Sequence, residues 1–195
     1  GQFCVKNTYG SANNKYGGFA FVHGGGVHPV LVIQVTSAGG ASNSSIVTGS
    51  KIWINGTYVN GTGRSWGLTV IKGSGSNRGQ LIHTMTYDVY GGTHTAADFT
   101  NAISTYNTDN NVLIINTSDE PENNAGNIRT TLQDTYGAKV ANQGSYFRYA
   151  YCYAFRHGYH VLGEQTSYYW SGSTATAGGS NNSRTICSMN FTVTL

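Results

Sequence analysis

Residues 110–137 read NNVLIINTSDEPENNAGNIRTTLQDTYG and hold two structural signals in succession. The run Asn110–Asn116 is short, apolar at its centre and rich in β-branched side chains, which is typical of a strand buried on both faces. The segment Asn124–Tyr136 then carries apolar residues at helical spacing, and Gly137 is a suitable left-handed residue to end that helix. The expected inner face of the helix consists of Ala125, Ile128, Leu132 and Tyr136. A buried strand followed by an amphipathic helix indicates an α+β fold.

The residues upstream of this stretch predict a second helix and several strands. A helix is expected over Thr95–Tyr106, with Thr95 as N-cap and Asp98 completing a capping box. Its inner face consists of Phe99, Ala102, Ile103 and Tyr106. A hairpin is expected over Lys51–Val59, because the pair Asn55-Gly56 is a strong signal for a two-residue turn. The remaining predicted strands are Phe19–His23, Val30–Thr36, Trp66–Lys72, Leu81–Val89, Phe147–Phe155 and Arg184–Leu195.

These elements predict a β-rich α+β domain with two helices between its central strands. We divide the chain into an N-terminal β-strand extension (1–50), a central domain (51–165) and a C-terminal β-strand extension (166–195). We expect the C-terminal extension to pack with the N-terminal one, because exposed strand edges seek partners.

The composition favours a protein that works outside a cell. Only 10% of the 195 residues are charged, against about 25% in ordinary soluble proteins, and there are 27 Gly and 14 Tyr. Uncharged polar surfaces of this kind suit fibres and adhesins better than cytosolic enzymes. A net charge of +3 without any run of Lys or Arg argues against nucleic acid as a partner. No apolar run of 18 residues is present, so membrane insertion is not expected.

The charges are unevenly distributed along the chain. All eight acidic residues lie between Asp88 and Glu164, whereas residues 1–87 contain six Lys or Arg. The two regions could attract each other or neighbouring copies of the chain, or the pattern could be simple drift in composition.

No motif predicts catalysis, a cofactor or a metal. Cys4, Cys152 and Cys187 include no CxxC pair; Cys4 and Cys187 could form a disulfide if the terminal strands are neighbours, and Cys152 is expected to be a buried thiol. The acids at 119, 120 and 122 occupy one turn, so they do not flank a substrate from two sides as glycosidase carboxylates do. They are expected to form a solvated loop, with a weak cation site as the alternative. Possible glycosylation sequons occur at Asn43, Asn55, Asn60, Asn116, Asn181 and Asn190.

Four segments together resemble one family, the interleukin-like EMT inducer domain, over about residues 51–165. They are GLTVIKGSGSNRGQLI (67–82), MTYDVYGG (85–92), VLIINTSDEPENNAGNIRTTLQDTYGAKV (112–140) and SYFRYAYCYAFRHG (145–158). The likeness departs from the family at Trp66-Gly67, where Arg-Gly is usual, at Tyr149, and in the cysteine pattern. The resemblance implies a mixed β-sandwich with two helices and no general catalytic activity.

The same resemblance implies a ligand site. In the sugar-binding branch of the family the ligand lies near the first strand, the acidic turn and the Arg of the aromatic strand. The matching residues are Arg64, Trp66, Asp119, Glu120 and Arg148. Asp accepts hydrogen bonds from sugar hydroxyls, Arg donates them and Trp stacks on the ring. The alternative is that Asp119 and Arg148 form an ion pair that fixes the turn to the sheet.

Composition and resemblance together lead to a non-catalytic receptor-binding module of a bacteriophage tail fibre or similar extracellular adhesin. Its expected partner is a bacterial surface glycan or envelope receptor, and it is expected to be a homo-oligomer, a trimer by analogy with fibres. A structural virion or fibre subunit and a secreted cytokine-like signalling domain are the alternatives. A depolymerase ranks last.

Overall fold

A computed structural model describes residues 20–23, 26–39, 50–141, 148–158, 160–167, 170–171, 174–175 and 185–195. Cys4 and the sequons at Asn43 and Asn181 lie outside the described residues. The helices are α1 (Ala96–Tyr106) and α2 (Ile128–Tyr136). The strands are β1 (Ala20–His23), β2 (Gly26–Gly39), β3 (Ser50–Ile54), β4 (Thr57–Thr62), β5 (Ser65–Ile71), β6 (Leu81–Tyr87), β7 (Val112–Asp119), β8 (Ala150–Arg156), β9 (His160–Ser167), β10 (Trp170–Ser171), β11 (Thr174–Ala175) and β12 (Thr185–Thr194). The protein is therefore β-rich and α+β, as expected.

Ten of the strands form one mixed sheet that is arranged in two layers. The central layer is antiparallel, with the order β6-β5-β7-β8-β9. The outer layer has the order β4-β3-β2-β12, also antiparallel, and β1 pairs with the first part of β2. A short parallel pairing of β2 with β7, at Ala38↔Ser118 and Gly39↔Asp119, joins the two layers.

The central layer is buried on both faces because its strands alternate between two apolar clusters. In β7, Leu113 and Ile115 face the helices, while Val112 and Ile114 face the outer layer. The cluster under the helices includes Trp66, Val70, Phe99, Ile103, Ile128, Leu132, Tyr151 and Phe155. The cluster between the layers includes Ile33, Val35, Ile52, Ile71, Cys152 and Met189. The order of layers is thus helices, central strands, outer strands.

Polar side chains fill the place where the two layers join. Ser37 Oγ and Ser50 Oγ both donate to the carbonyl of Thr117, and the side-chain amide of Asn116 donates to the Thr36 carbonyl at 3.1 Å. All of these residues are buried, and their hydrogen bonds remove the cost of burying the polar groups. Because Asn116 is fully buried, its sequon is inaccessible in the folded chain.

Three local predictions are confirmed. Helix α1 begins after Thr95 with the capping box to Asp98. The hairpin turns at Asn55 and Gly56, which have φ of 51° and 77°. Gly137 ends α2 in the left-handed conformation with φ of 77°.

Several element boundaries differ from the predictions. Helix α2 begins at Ile128 and not at Asn124, because Asn124 and Gly126 have left-handed φ values of 63° and 53° that no helix can contain. Strand β7 continues past Asn116 to Asp119, because its polar end pairs with β2 and β5. Strand β2 runs from Gly26 to Gly39, beyond both ends of the predicted strand Val30–Thr36, because β12 pairs with it over ten residues.

Strand β12 also contributes to the core between the layers. Its residues Cys187, Met189 and Val193 pack there with residues of the central layer. Cys152 and Cys187 are buried free thiols whose Sγ atoms lie 3.5 Å apart, so Cys187 has a neighbouring thiol other than Cys4. Both described helices are too short to cross a membrane.

Candidate functional site

Charged and aromatic side chains meet where β5 begins, β7 ends and β8 begins. Arg64 precedes β5 and pairs with Asp88, with Nη2 2.6 Å from Oδ2 and Nε 3.0 Å from each carboxylate oxygen. The same guanidinium lies over the ring of Tyr90, 4.9 Å from its centroid. The hydrogen bonds from Arg64 hold the pKa of Asp88 below its usual value, so this carboxylate stays ionised near neutral pH.

A close backbone approach makes this pairing possible. A Cβ at Gly91 would lie 2.3 Å from Nη2 of Arg64 and 2.6 Å from Oδ2 of Asp88. The ion pair therefore lies directly across a glycine, and the Gly91 N–H also donates to Asp88 Oδ1 at 2.8 Å. The spacing of Asp88 and Gly91 in MTYDVYGG is the local signal for this arrangement.

Asp119 and Arg148 extend the same surface. Both residues have left-handed backbones, with φ of 56° and 60°, and each marks a sharp turn at a strand end. Asp119 Oδ1 lies 3.9 Å from Arg148 Nε, and about one third of each side chain is exposed. The hydrogen bonds to Asp88 raise the pKa of the Arg64 guanidinium, and the negative charge of Asp119 acts in the same direction to a smaller extent. The ion pair that sequence reasoning offered as an alternative is present, although its two atoms lie at the limit of such a contact.

Glu120 lies beneath this surface and not on it. It is 1% exposed, and its Oε1 accepts from the backbone N–H groups of Glu122 at 2.7 Å and Asn123 at 3.1 Å. Its Oε2 accepts from the Arg148 N–H at 2.7 Å. Burial raises the pKa of this carboxyl above its usual value, and the three backbone donors oppose that shift. Glu120 therefore ties the acidic turn to the start of β8 and has no free oxygen to offer a ligand.

Trp66 is a core residue. Its side chain is fully buried, packs on Phe99, Tyr149 and Tyr151, and donates its indole N–H to the Pro121 carbonyl at 2.9 Å. A residue without exposed surface has no ring face to stack on a sugar. The aromatic ring that the structure does place beside Arg64 is that of Tyr90, which is 37% exposed.

We define the charged–aromatic cluster as Arg64, Asp88, Tyr90, Asp119 and Arg148. Sequence reasoning selected Arg64, Asp119 and Arg148, which the structure brings together, and it omitted Asp88 and Tyr90. Both omitted residues lie in MTYDVYGG, one of the four segments on which the expected family likeness was based, so a signal for them was present.

The acidic turn is not arranged as a cation site. Glu120 bonds to backbone donors, and Glu122 Oε1 accepts from Arg129 Nη2 at 2.7 Å. In the part of the chain that the structure describes, no group of three or more His, Cys, Asp or Glu side chains is placed to hold a metal ion. The cluster instead offers two guanidinium groups, two carboxylates and one phenol ring, which are suited to hydroxyl-rich or anionic ligands.

No protein-family model matches the chain, and a search of curated proteins finds no match.

Proposed function

We propose that this protein is a non-catalytic, extracellular receptor-binding module, of the kind carried by bacteriophage tail fibres and other adhesins. Its partner is a bacterial surface glycan bound at the charged–aromatic cluster. One observation carries the proposal: the partly exposed Arg64–Asp88 pair, with the ring of Tyr90 beside it, and the partly exposed Asp119–Arg148 pair lie at neighbouring strand ends. The resemblance to the interleukin-like EMT inducer domain and the low charge of the chain favour the same function.

The chemistry of the cluster fits a sugar ligand. Asp119 and Arg148 are each about one third exposed and their mutual contact is long, so a hydroxyl can bond to both without breaking a short ion pair. The face of Tyr90 that is free of Arg64 can pack on the C–H face of a pyranose. The guanidinium of Arg64, paired with Asp88, covers one face of the ring and adds donors beside it. The ligand thus contacts Tyr90, Asp119 and Arg148, with Arg64 as a flanking donor.

We expect Arg148→Ala and Asp119→Ala each to weaken binding to purified host-envelope glycan by about ten- to a hundredfold, since a hydrogen bond to a charged group contributes about 1.5–3 kcal/mol. Binding is measured by titration calorimetry on the recombinant chain.

The opposite end of the same two strands offers matched controls. Asp109 precedes β7 and forms an exposed ion pair with Lys72, and Arg156 ends β8 with bonds to the carbonyls of Asn110 and Thr194. Asp109→Ala and Arg156→Ala should bind as the parent protein does. Equal binding by all four variants would contradict the assignment of the site. If the folded parent binds no envelope glycan, the proposed function is wrong.

A second candidate, a structural fibre subunit, is favoured by the edge strand β6. In the described part of the chain β6 pairs with β5 alone, its sequence LIHTMTY has no Asp, Glu, Lys or Arg, and Leu81, Ile82 and Met85 are exposed. Long uncharged edge strands tend to pair with other chains, and a homo-oligomer could form through this edge.

The variant Ile82→Lys tests whether copies of the chain associate through β6. A charge on an edge strand opposes strand addition, so we expect this variant to have a lower mass by light scattering than the parent oligomer at the same concentration. Thr57→Lys, at an exposed position of β4, is the control and should keep the parent mass. An unchanged mass in Ile82→Lys would exclude β6 as the assembly edge.

A further inference from the structure

The outward face of the outer layer carries a row of four side chains that run across the strands. Trp53 is the direct cross-strand partner of Tyr58 on one side and of Gln34 on the other, and Gln34 is the direct partner of Asn190. Direct partners project from the same face of a sheet. We call Tyr58, Trp53, Gln34 and Asn190 the outer row; three strand spacings make it about 14 Å long.

The outer row faces solvent. The residues adjacent to it along the strands, Ile33, Val35, Ile52 and Met189, are buried between the layers, so the row projects the opposite way. Tyr58 is 54% exposed, Gln34 and Asn190 are exposed, and Trp53 is partly exposed.

The two aromatic rings are held in place by the hairpin. The Asn55 side-chain oxygen accepts from the Val32 N–H at 2.8 Å, and the backbone N–H of Asn55 donates to the Val32 carbonyl, which ties the turn to β2. Trp53 and Tyr58 contact edge to face, with centroids 6.2 Å apart and planes at 62°.

Tyr58 also lies across Gly61. A Cβ at Gly61 would be 2.6 Å from the Tyr58 hydroxyl, so the side chain reaches along β4 over a residue that has none. The pairing of β3 with β4 shifts register between Ile52 and Trp53. This shift places both Tyr58 and Gly61 on the outward face, although they are three residues apart. The phenol ring is therefore laid toward the sheet, with Lys51 Nζ 5.8 Å from its centroid.

The charged residues of the outer layer favour a ligand that carries a carboxylate. The four strands β2, β3, β4 and β12 contain Lys51 and no Asp, Glu or Arg. A carboxylate on a ligand would meet one ammonium group and no like charge on these strands. Aromatic rings pack on the C–H faces of sugars, and the amides of Gln34 and Asn190 both donate to and accept from hydroxyls.

From this arrangement we propose a second glycan-binding surface: the outer row binds an extended acidic polysaccharide, with sugar rings stacked on Trp53 and Tyr58, hydroxyls bonded to Gln34 and Asn190, and a carboxylate near Lys51. This surface shares no residue with the charged–aromatic cluster. It extends the proposed function from a single contact to two, which together would hold a polymer more tightly than either alone.

The test uses the full recombinant chain and a panel of purified acidic bacterial capsular polysaccharides, each paired with its carboxyl-reduced form. We expect Trp53→Ala and Tyr58→Ala to weaken binding of an acidic polymer about tenfold each, and Gly61→Ala to weaken it because the Tyr58 ring is displaced. Lys51→Gln and reduction of the polymer's carboxyls should each weaken binding by a similar factor. The two changes together should weaken binding no more than either one alone. Thr192→Ala, an exposed residue of β12 outside the row, is the matched control and should bind as the parent does.

The outcomes separate this surface from the first one. Arg148→Ala on the same panel identifies polymers held by the charged–aromatic cluster, whereas polymers held by the outer row depend on Trp53 and Tyr58. Thermal unfolding shows that each variant is folded. The proposal is overturned if no polymer on the panel loses affinity in folded Trp53→Ala, or if acidic and reduced polymers bind equally. It is also overturned if Trp53→Ala changes only the oligomeric state, since the face would then be an interface between copies.

Discussion

Replacing Trp66 with Ala is expected to lower the free energy of unfolding by about 3–5 kcal/mol, the range for removing a buried Trp or Phe side chain. Trp66 is fully buried between the central strands and α1, with its ring 5.4 Å from Phe99 and about 6 Å from Tyr149 and Tyr151 by centroid distance. The substitution leaves a cavity there and takes the donor from the Pro121 carbonyl. Since small domains are stable by only about 5–15 kcal/mol, a large part of the total is lost.

Denaturant titration followed by circular dichroism measures this loss. Trp66→Phe keeps most of the ring volume and removes only the indole donor, so we expect a loss of about 1–2 kcal/mol. Trp53→Ala is the matched control, because this partly exposed Trp lies on the outer layer, and it should cost about 1 kcal/mol or less. A Trp66→Ala protein that unfolds like the parent but no longer binds glycan would show that Trp66 contacts the ligand.

Replacing Glu120 with Ala is expected to lower the free energy of unfolding by about 2–4 kcal/mol and to abolish binding at the charged–aromatic cluster. The carboxylate accepts from the N–H groups of Glu122, Asn123 and Arg148, which lose their acceptor in the variant. The acidic turn is then released from the start of β8. Asp119 and Arg148 lie on the two sides of this connection, so their relative position is lost with it.

The pH dependence of the free energy of unfolding reports the cost of burying the charge of Glu120, independently of the contribution of its hydrogen bonds. Burial raises the pKa of Glu120 above its ordinary value of 4.5, so the folded chain binds this proton more readily than the unfolded chain. The stability that protonation of Glu120 contributes is fully present below pH 4.5 and is lost as the pH rises through the raised pKa. Glu120→Gln does not titrate and lacks this contribution.

The stability of the parent minus that of Glu120→Gln should therefore increase as the pH is lowered toward 4.5. Taking the difference cancels the other carboxyls, including Asp88, whose lowered pKa acts in the opposite direction. A difference that stays constant between neutral pH and pH 4.5 would contradict the raised pKa. Asp134→Asn, at an exposed position of α2, is the control for removing a carboxylate elsewhere.

The features that sequence alone predicted are those whose causes lie within a few residues. The capping box of Thr95 and Asp98, the Asn55-Gly56 turn and the left-handed Gly137 depend on local hydrogen bonds and backbone preferences, so short stretches of chain carry the whole signal. The burial of β7 on both faces was also readable, because a strand with apolar residues at successive positions has no solvent face.

Contacts between distant segments could not be predicted from these local patterns. Trp66 was assigned to the ligand site because it matches a position of the family that the chain resembles, and a match by position does not distinguish a core Trp from a surface Trp. Glu120 was grouped with Asp119 for the same reason, although the reversal of the chain at Asp119 turns one side chain outward and the next one inward. Asp88 and Tyr90 joined the candidate site only through Arg64, which is 24 residues from Asp88 in the chain.

The class of the fold, most of its strands and helices and the low charge of the chain could therefore be predicted without a structure. These follow from propensities, periodicity and composition, which act residue by residue. Three features could be recognised only in the folded chain: the layering of β2 and β12 on the central strands, the assembly of the charged–aromatic cluster and the alignment of the outer row. Each depends on strand register, and register is set by the packing of the whole sheet, in which a shift of one residue would turn every side chain to the other face.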